Sequence, residues 1–154
     1  MHDEVIRVGK IENFDVAVIG GGVAGCGAAL AAARNGAKVL LAESSGILGG
    51  QATLGLVTPL DARFTTGGKS FGGILEEISG KTVDLTRAYC SCGTQGEVWE
   101  IASPHILKYV LLDLLTEAGV DIRFHTNLIA AHGENGLLTH VVLSGKSGFE
   151  KITA

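Results

Sequence analysis

Two features between Ile19 and Glu43 bear on chemistry: the run Gly20-Gly21-Gly22-Val23-Ala24-Gly25, which satisfies G-x-G-x-x-G, and one acid at the end of the next apolar run. The glycines point to close approach by an anion. Gly20 suits a tight turn, Gly22 lets the backbone come near a pyrophosphate, and Gly25 allows a helix to pack closely on a strand. The helix that follows would offer free N–H groups and the positive end of its dipole. Glu43 lies at roughly the 20-residue offset where a carboxylate accepts the hydroxyls of an adenosine ribose. Its charge would repel a 2′-phosphate, which disfavours NADP.

Such a site needs a strand before the glycines and a helix after them. Asp15–Ile19 (DVAVI) is a short, mostly apolar run suited to a strand covered on both faces. Val23–Asn35 is alanine-rich and of helical length, with Gly36 where a C′ glycine would end it. Lys38–Ala42 is the next strand. This β-turn-α-β order is the first half of a dinucleotide-binding unit, and it makes the motif more than a glycine-rich turn.

The 154 residues carry 23 glycines, about twice ordinary usage, clustered at motifs and turns. With 46% hydrophobic residues, the length supports one α/β domain with a sizeable core. A net charge of −4, with no basic stripe, argues against nucleic acid as a partner. The N-terminus has neither a basic n-region nor an apolar h-region, and no apolar run is long enough to span a bilayer. Three cysteines make no disulfide framework. A soluble cytoplasmic protein is the expectation.

Residues 1–13 read as a lead-in. From residue 44 to 102 the pattern loosens into glycine pairs, with one helix expected near Gly73–Ser79. That stretch reads as too glycine-rich for a core layer and as an excursion lying over a ligand. Ser103 and Pro104 mark a helix start, Ile106, Leu107, Val110, Leu111, Leu114 and Leu115 recur at helical spacing, and Gly119 closes the helix. Val120–Phe124 is a third strand. Asn127–His132, Leu137–Ser144 and Gly148–Thr153, separated by GENG and GKSG, then read as an antiparallel meander.

The stretch FDVAVIGGGVAGCGAALAAARNGAKVLLAE followed by GILGGQAT resembles the FAD-dependent oxidoreductase family, whose FAD-binding half is of the glutathione-reductase type. The resemblance covers nearly the whole chain. An excursion of about sixty residues after the second strand, ahead of the helix at Ser103, and a meander after the third strand make the layout resemble an FAD-binding half rather than an NAD domain. The resemblance implies a Rossmann-type parallel sheet with an antiparallel β-meander, within one FAD-binding domain over 1–154. Its excursion would be 44–102 and its meander 126–154. It puts Gly20, Gly21, Gly22, Ala24 and Gly25 at the pyrophosphate and Glu43 at the ribose. Gly49, Gly50, Gln51 and Thr53 would pass beside the ribityl chain and flavin, unless they form an ordinary glycine turn. Leu128 offers either its backbone to the adenine or a packing contact.

Family members continue into a strand of the type ATGD and a substrate domain, whereas this sequence stops at KITA. The expectation is a domain cut short at its C-terminus, completed by a continuation or a partner subunit and incomplete for turnover alone. With the first three strands in the order 3-2-1, the outer edge of Asp15–Ile19 would lie open. The implied function is hydride or electron-pair transfer between a small-molecule substrate and FAD. The alternatives are a tRNA wobble-uridine-modifying flavoprotein, whose start is similar, and a non-catalytic nucleotide-binding or assembly module.

No nucleophile–base pair stands out, and no metal site is expected. Cys90 and Cys92 read as loop thiols, the five histidines are scattered, and Cys26 reads as a small packing residue. Arg63, Lys69 and Arg87 read as surface charges, Tyr89 and Trp99 as packing.

Overall fold

The computed structural model describes residues 7–57, 72–89 and 103–154. In chain order the elements are β1 (Lys10–Asn13), β2 (Val16–Ile19), α1 (Val23–Arg34), β3 (Val39–Ala42), a 3₁₀ turn (Gly50–Ala52), α2 (Gly73–Tyr89), α3 (Pro104–Glu117), β4 (Asp121–Arg123), β5 (Asn127–Glu134), β6 (Leu137–Gly145) and β7 (Gly148–Thr153).

β2, β3 and β4 form a parallel sheet in the order β2-β3-β4. Alternation along β3 explains why its sequence is apolar throughout. Val39 and Leu41 face a cluster with Cys26, Ala29 and Leu30 of α1 and Leu107, Val110, Leu111, Leu114 and Leu115 of α3. Leu40 and Ala42 face a second cluster with Phe14, Val141, Leu143 and Ile152. Helices thus cover one side and the meander sheet the other, so a strand buried on both faces has no position for a polar side chain. The outer edge of β2 has no strand partner among the described residues, as the order 3-2-1 implies.

Both expected glycine stops form Schellman motifs. Gly36 (φ +87) donates to Ala33 and Ala37 to Ala32 at the end of α1; Gly119 (φ +77) donates to Thr116 and Val120 to Leu115 at the end of α3. Pro104 occupies the first turn of α3, but the hydroxyl of Ser103, the N-cap residue, makes no capping bond. The Ser103 backbone N–H instead donates to Thr86 Oγ1 of α2 at 3.1 Å.

Two expectations are corrected. The lead-in contains β1, which pairs in parallel with β7 and joins the meander in a sheet of order β1-β7-β6-β5. The part of the excursion at α2 is a 17-residue helix that belongs to the core: it packs against α1 and α3 and buries Ile78, Ser79, Thr82, Val83 and Thr86. Two of its buried hydroxyls donate along the helix, Thr82 to the Ile78 carbonyl and Ser79 to that of Glu76. Arg34 of α1 grips Glu77 of α2 with two bonds of 2.6 and 2.9 Å.

Arg123 of β4 ties the parallel sheet to the other. Its guanidinium bonds to Glu12 of β1, Glu150 of β7 and Asp121, and stands over the Phe14 ring. No helix among the described residues is long and apolar enough to cross a membrane.

Candidate functional site

The site is built where β2 and β3 end. Gly20 turns the chain at φ +104 while its N–H donates to the Ala42 carbonyl at 2.8 Å. α1 begins at Val23, and its first-turn N–H groups have no intrahelical acceptor and no side-chain cap. Ala24 lies exposed in this turn. Gly25 is required by packing, since a Cβ there would sit 1.9 Å from the Gly20 carbonyl oxygen.

Gly21 and Gly22 differ in kind. A Cβ on Gly21 would meet Leu48 Cδ2 at 2.7 Å, so Gly21 serves the interior. Gly22 has an ordinary extended backbone (φ −66, ψ 175), and a Cβ there would meet nothing within 4 Å. Neither conformation nor packing in the described structure calls for glycine at 22.

The loop after β3 returns to this turn. Gly49 donates to the Gly21 carbonyl at 2.8 Å and forms a parallel bridge with Gly22. Gly49 and Gly50 both have positive φ, at +101 and +51, and a Cβ on Gly49 would collide with Thr53 at 2.4 Å. Thr53 is buried, its hydroxyl donating to the Leu48 carbonyl at 2.6 Å, so it shapes the loop from behind.

Between the two loops lies an open cleft of about 620 Å³ lined by Gly22, Glu43, Ser44, Gly50, Gln51, Leu54 and Gly55. Glu43 is 8% exposed. Its Oε2 accepts from the Gly21 N–H at 2.7 Å, and its Oε1 from the Ser45 N–H at 2.6 Å and the Ser44 hydroxyl at 3.2 Å. Burial pushes this carboxyl up, but the bonds from Ser45, Gly21 and Ser44 outweigh burial and hold it below the ordinary carboxylate range. The cleft therefore carries a fixed negative charge on one wall and the N-terminus of α1 near Gly22.

Of the expected residues, Gly22, Glu43, Gly50 and Gln51 line the cleft, while Gly20, Gly21, Gly25, Gly49 and Thr53 build the backbone behind it. Leu128 is outside the lining, 43% exposed on β5 beside a register shift. Its strand reaches the site through the preceding turn, where Thr126 donates to the Glu43 carbonyl and His125 to that of Ser45. Ser44, Leu54 and Gly55 were not anticipated; adjacency to Glu43 was the only signal for Ser44.

Cys26 is buried behind the glycine turn, its thiol 3.3 Å from the Gly21 carbonyl and pushed up by burial to about 11, as befits a packing residue. Tyr89, at the end of α2, is 77% exposed, so it does not pack as expected. Cys90, Cys92, Trp99, Arg63 and Lys69 lie outside the described residues. Among the described residues no group of three or more His, Cys, Asp or Glu side chains could hold a metal ion.

Comparison with known proteins defines the class. Residues 15–154 match the family described as FAD dependent oxidoreductase, and the chain belongs to it. FAD is the family's cofactor, and the fold is the FAD-binding Rossmann type with its antiparallel meander. Solved structures with a similar fold include a geranylgeranyl bacteriochlorophyll reductase-like protein from Thermoplasma acidophilum (TM-score 0.57, 20% identity, covering 94% of this chain and 38% of that one). A myxobacterial chondrochloren halogenase, a variant of the FAD-dependent halogenases, is similar at TM-score 0.60 and 20% identity over 93% of this chain and 36% of its own. Anhydrotetracycline hydroxylase from Streptomyces rimosus is similar at TM-score 0.62 and 15% identity over 93% and 30%. The chain spans about a third of the length of these proteins. A comparison with curated proteins gives no significant match.

Proposed function

We propose that this chain seats FAD with the pyrophosphate at Gly20–Gly25, the adenosine ribose at Glu43 and the flavin end along Gly49–Gln51. In that reading it is the cofactor-binding domain of an oxidoreductase that passes a hydride or electron pair between a small-molecule substrate and the flavin. When bound, FAD supplies the two-electron acceptor and donor. The protein's share of the work is to hold and orient it.

The observation that carries the reading is Gly22. Its backbone is one any residue adopts, its missing Cβ would enter empty space, and that space borders the cleft at the start of α1. A ligand that must approach the backbone closely accounts for glycine there. Glu43 supports the same reading, because three donors fix its carboxylate in orientation and keep it charged. One of its four acceptor positions is left for a ribose hydroxyl, and a second becomes free if the Ser44 hydroxyl rotates away.

The open edge of β2 is where a further strand, from the same chain or a partner subunit, would add. An odd number of cysteines accords with a reducing, cytoplasmic setting.

The test is reconstitution. Purified protein incubated with FAD and freed of excess should carry flavin absorbance at one FAD per chain, bleached by dithionite under argon. Protein that emerges colourless after incubation with excess FAD would sink the proposal.

A further inference from the structure

A second cavity, of about 250 Å³, lies on another face of the loop that carries Glu43. Ile47, Leu48, Leu112 and Phe124 supply apolar wall, and Lys108 and Tyr109, the two lining residues with polar side-chain ends, complete it beside Gly46. α3 places them there by its period. Its buried stripe is Leu107, Val110, Leu111, Leu114 and Leu115, and Lys108 and Leu112, one turn apart, flank that stripe on one side. Among the described residues neither the Lys108 ammonium nor the Tyr109 hydroxyl has a hydrogen-bond or ion-pair partner.

We propose that this cavity binds a small amphipathic monoanion: a single substituted ring or short branched chain bearing one carboxylate. The apolar body would lie against Ile47, Leu48, Leu112 and Phe124, with the carboxylate at Lys108 beside Tyr109. Size, wall and charge each narrow the class. The volume exceeds the roughly 150 Å³ that holds benzene and falls short of the roughly 300 Å³ at which drug-sized sites begin. The apolar wall disfavours a sugar or a nucleotide. One unpaired cation matches one negative charge, not the two of a phosphate monoester, and it repels cationic ligands.

This site is separate from the cofactor cleft. The two linings share no residue, and Gly46–Leu48 stands between Ser44 and Gly50 in the loop that borders both. The proposal therefore does not depend on where FAD sits.

The experiment titrates the full chain with phenylacetate, and with its neutral isostere phenylacetamide, by calorimetry and by NMR. Phenylacetate should bind with a Kd of about 1 mM and shift the methyl signals of Ile47 and Leu112. Phenylacetamide should bind about fivefold more weakly, the reach of one partly exposed charge pair. Lys108→Met should erase that difference. Leu112→Trp should abolish binding of both; Leu112 is 41% exposed, so the larger ring can be carried without unfolding. Added FAD should displace neither probe. Absence of saturable binding, equal affinities in the unaltered protein, binding that survives Leu112→Trp, or displacement by FAD would each overturn the proposal.

Discussion

The backbone N–H of Gly21 donates to Glu43 Oε2 at 2.7 Å, so the acid that follows β3 is fastened to the turn that ends β2. Ser45 and Ser44 hold the other oxygen. The carboxylate is thus part of the turn's own structure as well as a wall of the cleft. Glu43→Gln keeps the shape but gives one donor an amide nitrogen to face. It should cost about 1–3 kcal/mol of stability by leaving a buried donor unpaired, in addition to weakening FAD retention. Urea denaturation of the two proteins without FAD checks the first part; equal stabilities would mean that the three bonds add nothing.

The same carboxyl sets a pH limb. Held below its unfolded value of 4.5, it contributes stability that is present above that value and fades as pH falls through the folded one. Melting temperatures of the unaltered protein should therefore decline more steeply below pH 4.5 than those of Glu43→Gln. Parallel acid limbs would show that Glu43 is not the group responsible.

Arg123 is 14% exposed and faces Glu12, Asp121 and Glu150. Arg123→Met should cost about 3 kcal/mol, because it leaves the carboxylates of Glu12, Asp121 and Glu150 crowded with Lys10, on Glu12, as the remaining cation. Adding Glu12→Gln to Arg123→Met should restore part of that loss by removing one of them. If the second change lowers stability further, repulsion among the carboxylates is not the source.

His132 and His140 stand directly opposite each other on β5 and β6, with ring centroids 4.5 Å apart and planes 14° from parallel. Burial, Lys151 and His132 hold His140 below its ordinary value of 6.5 against the opposing pull of Glu134. A histidine so placed favours folding when neutral. Its contribution is intact above pH 6.5 and is lost as pH falls through the folded value. Protection factors of the β5–β6 hairpin amides, that is, exchange rates corrected for their intrinsic pH dependence, should fall between pH 7 and 5, about where imidazole titrates, and His140→Phe should remove that fall. Protection factors with the same pH response in the variant would assign it elsewhere.

Much of this was legible in the sequence, because the signals are local. The strand, glycine turn and helix from Asp15 to Gly36 follow from residue period and backbone freedom, as does α3 between Pro104 and Gly119. The two hairpin turns are marked by their glycines. β1 was not legible, since Lys10–Asn13 earns its strand only by pairing with Glu150–Thr153 at the other end of the chain. The start of α2 was legible near Gly73–Ser79, but its continuation to Tyr89 was hidden by its own chemistry: Thr82 and Thr86 are buried polar residues, and they blur the apolar period. Within the site, motif spacing singled out Glu43 and the glycines. It could not separate Gly21 and Gly25, demanded by packing, from Gly22, which the described structure leaves open.

That contrast supplies the most direct measurement of the central claim: FAD affinity and melting temperature for Gly22→Val beside Gly25→Ala. Gly25→Ala forces a Cβ to within 1.9 Å of the Gly20 carbonyl and should lose at least about 3 kcal/mol of stability or fail to fold. At Gly22 an added Cβ meets no protein atom within 4 Å and the backbone is one any residue adopts, so Gly22→Val should melt within a few degrees of the unaltered protein, about 1 kcal/mol or less. It should nevertheless bind FAD at least about 100-fold more weakly, a loss of about 2.8 kcal/mol, because the branched side chain fills the space assigned to the pyrophosphate. A stable Gly22→Val protein that retains FAD as tightly as the unaltered chain would contradict the account.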